Sequence, residues 1–137
     1  MPTVTTHAGP WNMTVLAYAQ DDPENPLASL SSADVSQLPY GAAELDKSGV
    51  VVNYIDTEPG GGATPSGSRL GQNFFTQVAP WAGRGEVLRY FQSGLVEGNM
   101  NVVFDCAVAG LAYKVRIHLK TSPILGTFWV FVKKLTR

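Results

Sequence analysis

The sequence predicts an α+β fold, in which helices pack on one face of a five-stranded antiparallel sheet. Residues 84–95 place apolar side chains at helical spacings, and they predict the main helix. Three strand-like runs follow, at residues 101–109, 113–120 and 128–135. Residues 40–54 add two strands, because an Asp-Lys-Ser-Gly turn sequence separates two strand-like halves of a hairpin.

Length and composition predict one domain and exclude several classes of partner. The 137 residues suffice for one hydrophobic core, and 45% of them are apolar. At a formal net charge of -1, the chain lacks the basic field that nucleic acids or anionic membranes attract. No apolar run approaches the ~20 residues that span a bilayer, and no secretory signal pattern begins the chain. We therefore expect a cytoplasmic protein that binds neither nucleic acid nor membrane.

The N-terminal third has weaker patterns than the rest of the chain. Residues 1–10 favour disorder or a loose strand, and residues 13–18 favour either a turn of helix or an edge strand. Pro23 and Pro26 then interrupt the backbone. Any regular element that begins before this point is therefore expected to end here.

Residues 27–38 are predicted to form two short helices. Their apolar residues stand among serines and alanines, and either Ser31 or Ser32 can cap a helix that begins at Ala33. Residues 59–68 differ, because prolines and glycines leave almost no helix-forming or core-forming side chains. We predict a mobile loop there. Its glycine run lacks the Lys-Ser/Thr sequence of a phosphate-binding loop.

The strand at residues 113–120 has one buried and one solvated face. Apolar residues alternate along it with four basic ones, which are Lys114, Arg116, His118 and Lys120. His118 is accordingly predicted to be a solvated strand residue. The single cysteine, Cys106, stands in an apolar run and is expected to behave as a small buried hydrophobe. The scattered histidines and cysteine predict no metal site.

Several motifs resemble one known family. Residues 71–80, Gly-Gln-Asn-Phe-Phe-Thr-Gln-Val-Ala-Pro, are similar to the segment before the chromophore-bearing cysteine of photoactive yellow proteins, a branch of the PAS domains. The resemblance spans residues 27–134 and includes Tyr40-Gly41-Ala42, Leu45-Asp46, Gly94, Gly98-Asn99, Asn101, Val115, His118, Lys120 and residues 129–133. It implies a single PAS domain over residues 1–137. Residues 39–137 would be the PAS core, and residues 1–38 an N-terminal cap across the outer face of the sheet.

Trp81 stands where the family carries its chromophore cysteine. Family members hold a p-coumaroyl (hydroxycinnamoyl) group there as a thioester, and an indole has no thiolate to accept an acyl group. The resemblance therefore implies a protein without a covalently bound cofactor. Trp81 can also fill volume that the chromophore would occupy.

Tyr54 and Glu58 match the tyrosine and glutamate that hydrogen-bond the chromophore's phenolic oxygen in the family. Burial would raise the pKa of the Glu58 carboxyl, which could then donate a proton. Alternatively, Glu58 is a surface residue and Tyr54 an ordinary strand-end aromatic. The family's threonine and gateway arginine are replaced by Gly62 and Thr64, and the segment 108–113 is about two residues shorter than in the family. Cys106 and Val108 complete the predicted ligand-binding set of Tyr54, Glu58, Trp81, Cys106 and Val108.

Three functions are compatible with these residues. The favoured one is a PAS module that is not photoactive and binds a small hydroxyl-bearing or phenolic ligand non-covalently in its core cleft. The second is a small dehydratase, isomerase or cyclase acting on a hydroxyacyl thioester, with Glu58 and Tyr54 as acid-base pair. The third is a ligand-free module whose N-terminal cap or sheet face binds a protein partner.

Overall fold

The computed structural model contains one large sheet with a helix packed against one face. It describes residues 3–6, 14–28, 30–31, 34, 38, 40–58, 62–65, 69–83, 85–98, 100–108, 114–122 and 126–135, with backbone alone at 3–6, 56–58 and 62–65. The strands are β1 (Thr3–Thr6), β2 (Thr14–Tyr18), β3 (Gly41–Leu45), β4 (Val51–Glu58), β5 (Gly62–Pro65), β6 (Asn101–Ala107), β7 (Lys114–Ser122) and β8 (Thr127–Leu135). The α-helix α1 spans Glu86–Glu97, a π-helical turn spans Phe74–Val78, and a 3-10 helix spans Pro80–Gly83.

The predicted fold class is confirmed. β4, β3, β8, β7 and β6 lie side by side in this order, and each neighbouring pair is antiparallel. This is the strand order of a PAS sheet. The described sheet has eight strands rather than the predicted five, because β1 and β2 extend one edge and β5 extends the other.

β5 corrects the predicted loop at residues 59–68. Gly62–Pro65 pairs antiparallel with the end of β4, in the register Glu58↔Gly62 to Ile55↔Pro65. Backbone groups alone make such a ladder, so a segment poor in core-forming side chains can still add to an open strand edge. The remainder of the predicted loop, residues 59–61 and 66–68, lies outside the described residues.

The N-terminal strands lie in the plane of the sheet, whereas the sequence predicted a cap across its outer face. β2 pairs in parallel with β6, from Thr14↔Val102 to Tyr18↔Cys106, and β1 pairs with β2. The strand alternative for residues 13–18 is therefore correct. The Tyr18 ring stacks on Phe104 with ring centroids 6.4 Å apart, and Tyr90 of α1 meets the same Phe104 at 5.6 Å. β2 therefore adds its side chains to the helix-covered face.

A turn between the N-terminal strands and the PAS core is held by Asn25. This side chain is 4% exposed, and its amide donates to the carbonyl oxygens of Ala19 at 3.0 Å and Ala107 at 2.8 Å. Its Oδ1 accepts from the backbone N–H of Leu27 at 2.9 Å. One buried amide thus satisfies three backbone groups and ties the turn to the end of β6.

The predicted helices at residues 27–38 fall largely outside the described residues. Asp34 is helical, and its backbone N–H donates to the Ser31 hydroxyl at 3.1 Å. The Asp34 carboxylate in turn accepts from the Ser31 backbone N–H at 3.2 Å. This reciprocal pair is a capping box, in which Ser31 is the cap. Leu27 and Leu38 are buried in the core.

α1 provides the helical side of the core. The sequence predicted residues 84–95, and the helix ends at Gly98, whose left-handed backbone (φ 73°) donates its N–H to the Gly94 carbonyl. Gly94 lies inside the helix. A Cβ at this position would clash with the Met100 side chain, so glycine fits here and a larger residue does not. The Phe91 ring packs between the rings of Phe75 and Phe128, with ring centroids 4.8 Å and 5.3 Å apart.

The alternation predicted along β7 is present in the structure. Val115, Ile117 and Leu119 are each fully buried, and the basic residues between them lie on the opposite face of the sheet. Within the described residues, no helix is long and apolar enough to cross a membrane.

Candidate functional site

Four of the five predicted ligand-binding residues belong to one buried cluster. Tyr54 on β4, Trp81 in the 3-10 helix, Cys106 on β6 and Val108 just after it are between 0% and 8% exposed. The fifth, Glu58, ends β4, and only its backbone is described. The predicted acid-base pair therefore stays a prediction, while the burial of its tyrosine is established.

Short helical turns hold Trp81 in the core. The Asn73 side chain accepts from the Phe75 N–H at 2.9 Å and donates to the Ser48 carbonyl at 3.0 Å, which fastens the π-helical turn to the β3–β4 hairpin. The 3-10 helix that follows is closed by a hydrogen bond from the Ala82 N–H to the Ala79 carbonyl oxygen at 2.9 Å. Gly83 then lies directly against the Phe75 carbonyl. Trp81 is thus fixed with its indole 8% exposed.

Cys106 is the only thiol in the chain, and it is buried and free. Burial raises its pKa far above the ordinary value, and the neighbouring Asp105 carboxylate adds to this shift. The group is therefore a neutral thiol near neutral pH and a poor nucleophile. The predicted burial of Cys106 is confirmed. Its raised pKa agrees with the predicted lack of reactivity.

Tyr18 is a buried phenol beside this thiol that the sequence did not single out. Its ring is 2% exposed, and its hydroxyl has no hydrogen-bond partner among the described residues. Burial raises its pKa far above the usual value, and the Cys106 thiol and the Tyr90 hydroxyl raise it further. An unsatisfied buried hydroxyl costs about 1–3 kcal/mol of stability.

Tyr18→Phe is expected to raise the free energy of unfolding by about 1 kcal/mol, because it removes an unsatisfied hydroxyl and keeps the stacked ring. Urea unfolding followed by circular dichroism measures this change. Tyr90→Phe, on the half-buried ring that meets the same Phe104, is the matched control and should show no gain. A clear loss of stability in Tyr18→Phe would contradict the prediction.

A cation that the sequence did not point to lies over Tyr54. The Arg69 guanidinium carbon is 5.1 Å from the centre of the Tyr54 ring, within the range of a cation–π contact. Arg69 is 15 residues along the chain from Tyr54, and no periodicity connects the two. The Tyr54 ring itself is 2% exposed, so this contact marks an edge of the buried cluster.

His118 is not the solvated residue that the sequence predicted. It is half-buried, and its Nε2 lies 2.6 Å from Oδ1 of Asn101. Burial lowers its pKa first, and Lys120, Arg116 and Lys133 lower it further. It lines a groove of about 380 Å³ on the outer face of the sheet, opposite α1. The sequence showed that this face is basic, but not that it is concave.

The described residues bring together no group of three or more His, Cys, Asp or Glu side chains that could hold a metal ion. What they form is a PAS-type sheet with a helix-packed apolar core, a buried tyrosine and a buried tryptophan. These features define the chain as a PAS domain.

Comparisons with known proteins give the family. The chain is 35% identical over 125 residues to the photoactive yellow protein of Halochromatium salexigens, covering 90% of this chain and 100% of that protein. It is 34% identical over 129 residues to the photoactive yellow protein of Cereibacter sphaeroides, with the same coverage. No protein-family model matches the chain.

A solved structure agrees with these relatives. The photoactive yellow protein domain of the sensor histidine kinase Ppr from Rhodospirillum centenum superposes with a TM-score of 0.52 and 26% identity, over 79% of this chain and 96% of that domain. The chain belongs to the photoactive yellow protein family.

Proposed function

We propose that the chain is a PAS sensor without a covalent chromophore, which binds a small phenolic ligand non-covalently in its core. The observation that carries this proposal is the burial of Tyr54 and Trp81 in one apolar cluster. The sequence resemblance implies that Trp81 stands at the position of the family's chromophore cysteine, and an indole cannot form a thioester. The burial of Cys106 argues against an alternative anchor, because a neutral thiol in the core is unreactive.

Tyr54 and Arg69 supply the recognition chemistry of the proposed site. A phenol hydroxyl in an apolar surrounding can donate to or accept from a ligand oxygen, and it gains specificity because water is excluded. The Arg69 cation, 5.1 Å from the Tyr54 ring, favours a ligand whose oxygen carries partial or full negative charge. A phenol or phenolate meets both requirements. The Glu58 carboxyl would add a third contact, as the family resemblance implies.

The signalling role is proposed from the relatives. The Rhodospirillum centenum domain is part of a sensor histidine kinase. We infer that ligand occupancy of the core in this chain is likewise read by a protein partner. The proposed function is therefore chemical sensing rather than light sensing.

Binding of p-hydroxycinnamate, with cinnamate as the matched ligand lacking the hydroxyl, tests the proposal. Purified protein is expected to show tyrosine and tryptophan absorption alone, and p-hydroxycinnamate at about 100 times its Kd should stabilise the fold by about 2.7 kcal/mol. Thermal unfolding and native mass spectrometry measure both effects.

Variants locate the site. Tyr54→Phe should weaken p-hydroxycinnamate about tenfold, the loss expected when a ligand oxygen is left unpaired, and Tyr90→Phe is the matched control. Equal affinity for p-hydroxycinnamate and cinnamate, no binding of either, or a visible band that persists after denaturation would each overturn the proposal.

A further inference from the structure

The groove on the outer face of the sheet is separate from the core and is organised in three cross-strand rows. Its floor is the row Val103–His118–Phe131, taken from β6, β7 and β8. The two flanking rows are Asp105–Arg116–Lys133 and Asn101–Lys120–Trp129. Because side chains alternate across a strand, all nine point away from α1 and its core.

The residues that line the groove carry a net positive charge. Arg116 binds the Asp105 carboxylate through two hydrogen bonds of 2.6 and 2.8 Å, so these two charges cancel. Lys120 and Lys133 are exposed, and neither makes an ion pair with a described residue. They stand on opposite sides of the apolar floor. Burial lowers the pKa of His118 most, and Lys120, Arg116 and Lys133 lower it further.

The floor of the groove is aromatic as well as apolar. The Phe131 ring lies 5.8 Å from His118 on one side and 5.8 Å from Trp129 on the other, and the Trp129 and Phe131 planes are only 15° apart. Phe131 and Trp129 are only partly buried, so part of each side chain is exposed to solvent. Such a surface accepts a flat ring by stacking.

We propose that this groove binds a small aromatic carboxylate, whose ring stacks on Phe131 while Lys120 and Lys133, on opposite sides of the floor, attract its carboxylate. The groove's volume of about 380 Å³ lies within the range of small-molecule pockets. Its flanking lysines favour an anion, and its aromatic floor favours a planar apolar body. A single aromatic carboxylate satisfies both.

The proposal is tested with 2-naphthoate and its neutral isostere 2-naphthamide, followed by calorimetry and amide chemical shifts. Naphthoate is expected to shift the amides of Val103, His118 and Phe131 and the His118 ring signals. Naphthamide should bind about tenfold more weakly, since it loses the electrostatic attraction of two exposed lysines. Raising salt from about 50 to about 500 mM should weaken naphthoate alone.

A double variant and its control separate the groove from general charge. Lys120→Gln with Lys133→Gln should weaken naphthoate about tenfold, whereas Lys47→Gln with Lys114→Gln makes the same charge change outside the groove and should cost less than about twofold. All four lysines are exposed, so the fold is expected to survive both changes. Tyr54→Phe should leave naphthoate binding unchanged.

Four results would overturn the proposal. They are no naphthoate binding, equal affinity for the acid and the amide, equal losses in the two lysine pairs, and shifts that map around Tyr54 and Trp81 instead of the groove. The last result would place naphthoate in the core and would not count against the phenolic site proposed above.

Discussion

The unaltered chain is expected to take up no acyl chromophore, whereas Trp81→Cys is expected to be labelled by an activated hydroxycinnamoyl ester. The thiolate attacks the activated carbonyl, the leaving group departs, and a thioester forms at the position that the sequence resemblance assigns to the family's cysteine. Without the label, the variant should lose about 3–5 kcal/mol of unfolding free energy, because removal of a buried tryptophan leaves a cavity. The bound group should restore part of that loss by filling it.

Intact-protein mass and urea unfolding measure the two effects. Trp81→Ala creates a similar cavity without a thiol, so it should lose similar stability and take up no label. The unaltered chain should remain unlabelled as well, because Cys106 is fully buried. Labelling of the unaltered chain, or of Trp81→Ala, would show that Cys106 is accessible and would contradict the prediction. No labelling of folded Trp81→Cys would also contradict it.

Gly83→Ala is expected to cost about 3 kcal/mol of unfolding free energy, at the upper end of overpacking penalties. A Cβ at this position would meet the carbonyl oxygen of Phe75, which is backbone and cannot turn aside as a side chain can. The 3-10 helix that carries Trp81 would have to move away from the π-helical turn. Denaturant unfolding measures the loss.

Gly71→Ala is the matched control for this substitution. Gly71 lies in the same segment, and a Cβ there would meet nothing within 4 Å, but its φ is 81°. The control should therefore lose only the roughly 1–2 kcal/mol of left-handed backbone strain. A larger loss in Gly71→Ala than in Gly83→Ala would mean that the contact between Gly83 and Phe75 is looser than described.

Local patterns predicted the elements whose side chains already reveal their environment. The alternation of Val115, Ile117 and Leu119 identified β7 and its buried face, and the helical spacing around Phe91 identified α1. Elements stabilised by backbone pairing alone were missed. β5 was predicted to be a loop because Gly62–Pro65 contains no core-forming pattern, although the edge of β4 was open to pair with it.

The same distinction applies to the candidate sites. Trp81 and Tyr54 were singled out from the sequence, because a motif resemblance marks individual positions. The outer groove was not predicted, since its lining residues come from three strands and meet only through the strand register. The prediction that His118 is solvated was wrong for this reason. The alternation along its own strand indicates a solvated position, but Val103 and Phe131 on the neighbouring strands half-bury it.

The sequence by itself predicted the α+β fold, the family, a tryptophan at the position where the resemblance implies an acyl-accepting thiol, and the basic face of β7. These properties depend on residue identity and on periodicity along one segment. Only the tertiary structure decided that the N-terminal strands extend the sheet, that Tyr18 lies beside Cys106, and that the basic face is a groove. Each of these depends on which strands pair and in which register, and pairing energy between distant strands is not encoded in either strand alone.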